Sequence, residues 1–86
     1  MGKADSAPDS VRENVKNDVM HFMKLHSARV GSVLPPKPFA VRTRGYGDGE
    51  RAEVEQALFE LVQEGLLQER ERQYYLTQRG YDFLYK

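Results

Sequence analysis

The sequence has 86 residues and contains no cysteine. Disulfide bonds and zinc sites built on thiolates are therefore both excluded as sources of stability. A chain of this length is one small domain with room for a single core, since domains usually have about 100 residues or more. Packed apolar side chains must supply its stability.

The chain also lacks a long apolar run. Its first ten residues, MGKADSAPDS, are polar and do not contain the apolar segment of a signal peptide. No later stretch approaches the roughly 18 continuous apolar residues that indicate a membrane span. Together with the missing cysteines, this pattern predicts a soluble protein of the cytoplasm that has no membrane partner.

An excess of charge of either sign is missing too. Thirteen basic and thirteen acidic residues cancel, whereas non-specific binding of nucleic acid depends mainly on an excess of Lys and Arg. The charge is nevertheless uneven along the chain. Residues 35–47 carry basic residues alone, and residues 51–65 carry four glutamates against Arg51. An electrostatic function is predicted to lie where the charge is uneven.

The N-terminal part of the chain predicts a leader followed by an amphipathic helix. Residues 1–8 are polar, end in proline and are interpreted as a flexible leader before a domain of residues 9–86. Asp9 or Ser10 can cap the helix by accepting a hydrogen bond from its first turn. Apolar residues then recur at steps of three and four up to about Ser27. The predicted stripe is Val11, Val15, Val19, Phe22, Met23 and His26.

The central segment, residues 31–49, predicts a loop. Three prolines within four positions remove amide donors, and three glycines favour turns. Within this loop the residues FAVRT have the composition of a short strand. Val41 and Thr43 would lie on one side of that strand, and Arg42 and Arg44 on the other.

A second amphipathic helix is predicted from Glu50 to about Gly65. The glycine suits the C-terminal cap because it has no β-carbon and accepts the left-handed conformation. The inward stripe of this helix is predicted to be Val54, Ala57, Leu58, Leu61 and Val62.

The last 20 residues predict a hairpin and a closing helix. Apolar residues at 66–67 and 74–76 flank a polar segment, a pattern that indicates two short antiparallel strands joined by an exposed turn. Thr77 can cap a final helix of residues 78–85. That helix is predicted to bury Tyr81 together with Leu84 or Phe83.

This order of elements resembles the C-terminal half of a winged helix-turn-helix domain. The similarity covers roughly the last 35 residues and rests on a helix ending in LVQEGLL, a polar hairpin and the residues YYLTQRG. Its residues are Leu61, Val62, Gly65, Leu66, Leu67, Tyr74, Tyr75, Leu76, Thr77 and Gly80. Bacterial transcriptional regulators of the multiple-antibiotic-resistance and phenolic-acid-response types (MarR and PadR) are similar through this segment.

The resemblance implies an α+β fold and a place for each element. Residues 51–64 would be the recognition helix, and residues 67–76 would be the wing. The expected fold is a small winged-helix domain in which a Pro/Gly-rich loop replaces a regular second helix. The implied function is that of a small non-enzymatic protein that binds DNA and regulates transcription.

Basic residues of the central loop and of the hairpin are the candidates for binding duplex DNA. Guanidinium groups pair bidentately with phosphate, and a loop tyrosine can stack on a base. The same arginines could instead balance the neighbouring glutamates. The candidate nucleic-acid-binding residues are Lys37, Arg42, Arg44, Tyr46, Arg51, Arg70 and Arg72.

A protein-interaction module, or a homodimer, is the alternative function. Phosphates would repel the four glutamates of the helix that the resemblance makes a recognition helix. Adjacent Tyr74 and Tyr75 point to opposite faces of a strand, so one of them is predicted to be exposed. Exposed aromatic residues favour interfaces. The candidate partner-binding residues are Tyr75, Tyr81 and Tyr85.

Catalytic, metal and cofactor sites are not predicted. His21 and His26 are five residues apart, whereas two ligands on one helix face need a spacing of three or four. The glycines of GYGDG lack the Lys and Ser/Thr of a phosphate-binding loop. The sequence therefore predicts neither enzymatic activity nor a small-molecule substrate.

Overall fold

The computed structural model describes residues 8–86. The elements in chain order are α1 (Pro8–Leu25), α2 (Pro36–Arg44), α3 (Asp48–Ala52), α4 (Val54–Gln63), β1 (Leu67–Arg70), β2 (Gln73–Leu76) and α5 (Gln78–Tyr85). This architecture confirms the predicted α+β class. The predicted leader lies outside the described residues except for Pro8, where α1 begins.

Helix α1 forms one wall of the core and begins earlier than its predicted cap. A proline fits the start of a helix, because an amide there has no partner within the helix. Asp9 and Ser10 therefore lie within the first turn of α1, after its start at Pro8. His26 follows the end of α1 at Leu25 and is exposed, so it does not belong to the apolar stripe. The buried residues of α1 are Val15, Val19, Met20, Phe22 and Met23, with Lys16 beside them.

Helix α2 stands where a loop was predicted, so the expectation of a Pro/Gly-rich loop in place of a regular second helix is wrong. The strand predicted at FAVRT is wrong as well. Pro36 and Pro38 take the first and third helical positions, where the missing amide hydrogens would have had no acceptor within the helix. The amide of Phe39 then donates to the Pro35 carbonyl at 3.0 Å. Prolines grouped in a first turn are thus compatible with a helix.

The predicted second amphipathic helix is divided into α3 and α4 at Glu53. Ala57, Leu58 and Leu61 are buried and Val54 and Val62 pack against the core, as predicted.

Helix α4 stops at Gly65, as predicted. Gly65 has a positive φ of 80°, and its amide donates to the Val62 carbonyl at 3.0 Å. The amide of Leu66 donates to the Leu61 carbonyl, also at 3.0 Å. These two bonds are those of a Schellman motif, which satisfies the last carbonyls of the helix. The chain can therefore turn directly from α4 into the hairpin.

The predicted antiparallel hairpin is present, and a third segment extends it. Leu67 pairs with Leu76, and Arg70 pairs with Gln73 at the turn. Residues 31–34 lie along the other edge of β2. There the Gly31 amide donates to the Leu76 carbonyl at 2.8 Å, and the Leu34 amide to the Tyr74 carbonyl at 2.7 Å. The chain between α1 and α2 is thereby fixed to the hairpin.

Thr77 caps α5, as predicted, and joins it to the end of α4. Its side-chain oxygen accepts from the Gly80 amide at 2.9 Å, while its hydroxyl donates towards the carbonyls of Gly65, at 2.6 Å, and Leu66, at 3.0 Å. Tyr81 and Leu84 pack against the core. Phe83, the other predicted core residue, is 56% exposed.

The two-residue turn of the hairpin consists of Glu71 and Arg72, whose φ angles are 51° and 68°. Side chains other than glycine, asparagine and aspartate are disfavoured in this conformation. The double change Glu71→Asn with Arg72→Gly is therefore expected to raise the free energy of unfolding by about 1–2 kcal/mol. Urea denaturation followed by circular dichroism measures the change. An unchanged or lower midpoint would contradict the expected strain.

Candidate nucleic-acid interface

The outer face of α4 consists of the residues that point away from the core. Ala57, Leu58 and Leu61 bury the opposite side of the helix. The exposed residues of the outer face are Glu55, Gln56, Phe59 and Gln63. Phe59 lies near the middle of this face and is 54% exposed.

Basic residues of α1 neutralise three of the four glutamates that were predicted to repel phosphate. Arg12 contacts Glu53 and Glu60, each at 3.0 Å. Lys16 contacts Glu60 at 3.3 Å and also binds Glu64. All three carboxylates thus face α1, and Glu55 is the one acidic residue on the outer face of α4.

Lys16 is buried, with 6% of its surface exposed, and sequence reasoning missed it. Burial alone would lower the pKa of Lys16, but hydrogen bonds to Glu64, Glu13 and Glu60 outweigh it and raise the pKa above its ordinary value. The ammonium group therefore stays charged. The signal in the sequence was the spacing of three between Glu13 and Lys16, which is also common on exposed helix surfaces.

Two candidate phosphate-binding residues, Arg42 and Tyr46, turn towards α1. The Nε and Nη2 atoms of Arg42 donate to the two oxygens of Asp18 at 2.8 and 2.7 Å. The hydroxyl of Tyr46 donates to the same carboxylate. The Arg42 guanidinium also lies 5.3 Å from the ring centre of Phe22. These contacts hold α2 and the turn after it against α1.

The change Asp18→Asn is expected to make the free energy of unfolding fall less steeply as the pH decreases. Hydrogen bonds from Arg42 hold the pKa of Asp18 below its ordinary value of 3.8; partial burial opposes this shift, and the Tyr46 hydroxyl supports it. Between the two pKa values the unfolded chain binds more protons than the folded protein. The stabilisation is therefore fully present above pH 3.8 and is lost as the pH falls through the lower pKa of the folded protein.

Urea denaturation at intervals between about pH 2 and 6 tests this expectation. The free energy of unfolding should fall less steeply below pH 4 in the variant than in the unchanged protein. Equal slopes would show that Asp18 is not among the groups responsible for acid sensitivity.

The other basic candidates remain at the surface, in two groups. Lys37 and Arg44 are exposed on α2, and Arg51 is exposed on α3, where its Nη2 donates to the Tyr46 carbonyl at 2.9 Å. Arg70 and Arg72 are exposed on the hairpin, and the Arg70 guanidinium lies 4.3 Å from the ring centre of Tyr75.

A cavity of about 200 Å³ brings the hairpin turn beside the start of α2. Its lining residues are Leu34, Pro36, Phe39, Leu58, Arg72, Gln73 and Tyr74. Arg72 is therefore close to the first turn of α2, which carries Lys37. The structure thus places the hairpin turn and the start of α2 on the same cavity, which Leu58 of α4 also lines.

The candidate partner-binding tyrosines are partly covered by their own chain. Tyr75 is half-buried beneath Arg70, and Tyr74 is half-buried too, so the prediction that one of the pair is exposed is wrong. Tyr81 stacks on Tyr85 with 4.6 Å between ring centres. The Tyr85 hydroxyl donates to the Ala28 carbonyl at 3.2 Å. Phe83 and Phe59 are the more exposed aromatic residues, but neither was among the predicted partner-binding residues.

Within residues 8–86, no three His, Asp or Glu side chains are placed to hold a metal ion. None of the helices in that range has the length and apolarity needed to cross a membrane. Comparisons with protein-family models, with curated proteins and with solved structures return no match for this chain. The function is therefore argued from the site itself.

Proposed function

We propose that this protein is a non-enzymatic winged-helix protein that binds duplex DNA through the outer face of α4 and regulates transcription. The order of elements supports the proposal. A helix, a strand-like segment, three further helices, a hairpin and a closing helix follow one another along the chain. In this assignment α2 and α4 form the helix-turn-helix unit, and β1 with β2 forms the wing.

The observation that carries the proposal is the position of the glutamates of α4. Glu53, Glu60 and Glu64 are paired with basic residues of α1. Their charge would otherwise oppose the approach of a helix to phosphates. With these carboxylates paired with Arg12 and Lys16, the outer face of α4 offers two glutamines and a phenylalanine, which suit contacts with base edges in a major groove.

Phosphate contacts would come from exposed basic residues of α2 and of the hairpin turn. Lys37, Arg44 and Arg72 take part in none of the side-chain hydrogen bonds or ion pairs within residues 8–86. Arg72 stands at the tip of the proposed wing, and Lys37 follows Pro36 at the edge of the cavity beside it. Three phosphate contacts give modest affinity, which agrees with a chain of zero net charge.

Fluorescence anisotropy with a labelled duplex of mixed sequence tests the proposal. Binding is expected at about 20 mM salt and is expected to weaken as salt rises, with a log–log slope of about −3 for three phosphate contacts. The changes Lys37→Ala and Arg72→Ala should each make the slope shallower by about one. Arg29→Ala removes the same charge beside Tyr81 and Tyr85, and should leave the slope unchanged.

A protein-interaction module is the second candidate function, favoured by the exposure of Phe59 and Phe83. Phe83 borders a shallow cavity with Glu64, Leu66, Arg79 and Asp82, which could receive an apolar side chain of a partner. Absence of DNA binding at low salt would favour this function over the first. Sedimentation velocity at high protein concentration would then show whether the partner is a second copy of the chain.

A further inference from the structure

The outer face of α4 contains an apolar residue where a soluble helix usually carries a polar one. Phe59 is not among the residues that pack against the core. One turn on either side of it lie Gln56 and Gln63, both exposed. An aromatic side chain at the centre of an otherwise polar face is available for contact with a partner, because its burial removes apolar area from water.

The same face lacks the residues that read guanine. Arg or Lys bonded to the O6 and N7 atoms of guanine is the commonest specific contact in the major groove. The residues of α4, VEQALFELVQ, include neither. Glutamine instead forms a bidentate pair with adenine N6 and N7, and an apolar side chain contacts the C5-methyl group of thymine.

Glu55 is the acidic residue among the exposed residues of α4 and lies one turn before Phe59. Burial raises the pKa of Tyr74, and the carboxylates of Glu69 and Glu55 raise it further. A carboxylate at the groove would select the amino group of cytosine, whereas the charge of Glu55 acts on this tyrosine of the hairpin.

From these observations, and resting on the proposed function, we infer that α4 selects A·T base pairs. Phe59 contacts a thymine methyl group, and Gln63 bonds to adenine, since the side chain of Gln56 is hydrogen-bonded to Glu60. The two glutamines and the phenylalanine lie on one exposed stripe, so they face neighbouring base pairs when the helix lies in the groove. Selectivity comes from this stripe, whereas affinity comes from the exposed basic residues of α2 and of the hairpin.

Three duplexes of equal length test the inference by fluorescence anisotropy at low salt. The first is rich in A·T pairs, the second is the same sequence with uracil in place of every thymine, and the third is rich in G·C pairs. Uracil differs from thymine by the methyl group alone. Loss of one buried methyl contact corresponds to weaker binding by about fourfold. The unchanged protein should therefore bind the uracil duplex about fourfold less tightly than the thymine duplex, and the G·C duplex less tightly still.

The variant Phe59→Ala identifies the residue that senses the methyl group. Its fold should be unchanged, since Phe59 is exposed, and it should bind the thymine and uracil duplexes equally. The variant Gln56→Ala is the matched control on the same face and should keep the methyl dependence. Equal binding of all three duplexes by the unchanged protein would overturn the inference and leave the proposed function standing. Failure to bind any duplex would overturn both.

Discussion

Replacing Gly80 by alanine is expected to lower the free energy of unfolding by about 2 kcal/mol or more. An added β-carbon would lie 2.2 Å from the Leu66 carbonyl oxygen and 2.7 Å from Cδ1 of Leu76. The carbonyl cannot easily move, because it accepts hydrogen bonds from the amide and the hydroxyl of Thr77. The clash therefore acts on the junction that joins the end of α4 to the start of α5.

The same substitution at Gly49 is the matched control. Gly49 lies in α3, and an added β-carbon there has no atom within 4 Å. Alanine should be neutral or should stabilise the protein by up to about 1 kcal/mol, because glycine loses more conformational entropy in a helix. Urea denaturation of both variants gives the two free energies. If Gly80→Ala lowers the free energy of unfolding no more than Gly49→Ala does, the close contact between Gly80 and Leu66 is contradicted.

The change Leu61→Ala is expected to cost about 2–5 kcal/mol, which is a large part of the stability of a domain of this size. Leu61 is 1% exposed and belongs to the core cluster that also contains the buried residues of α1. The change leaves a cavity beside neighbours that are themselves fully buried. The expected loss is measured as a lower urea midpoint with an unchanged slope.

The change Phe59→Ala on the same helix provides the comparison for Leu61→Ala. Its side chain is 54% exposed, so little buried apolar area is lost and the midpoint should hardly move. A large loss of stability from Phe59→Ala would show that this ring packs within the fold, and the outer face of α4 would then need another description.

Elements set by a single local interaction could be predicted from the sequence. Gly65 ends α4 because the left-handed conformation suits a residue without a β-carbon, and Thr77 begins α5 because its hydroxyl accepts from the first turn. Both signals depend on residues within a few positions of each other. The hairpin between them followed from the same local patterns.

The second helix could not be predicted from the number of prolines alone. Pro36 and Pro38 would break a helix at its middle, but they are compatible with one in its first turn. Whether a helix begins at that point depends on Phe39 packing against Phe22 of α1, with ring centres 5.6 Å apart. That contact joins segments which are distant in sequence.

The charges of the candidate site could be counted from the sequence, but their partners could not be assigned. Arg42 seemed available for phosphate until the structure placed Asp18 beside it. The glutamates of α4 formed an acidic segment until Arg12 and Lys16 were placed along them. Each pair joins residues more than 20 positions apart, and such pairing depends on how the helices pack.

The pairing of residues 31–34 with β2 affects how the protein folds as it leaves the ribosome. Leu34 finds its hydrogen-bond partner at Tyr74, which is synthesised much later. The apolar side of α1 is likewise covered by Leu61 and Leu76, which are synthesised after it. Contacts so far apart in sequence slow folding. The emerging chain therefore exposes the apolar side of α1 until residues 61–76 have been made, and during that interval we expect it to depend most on chaperones.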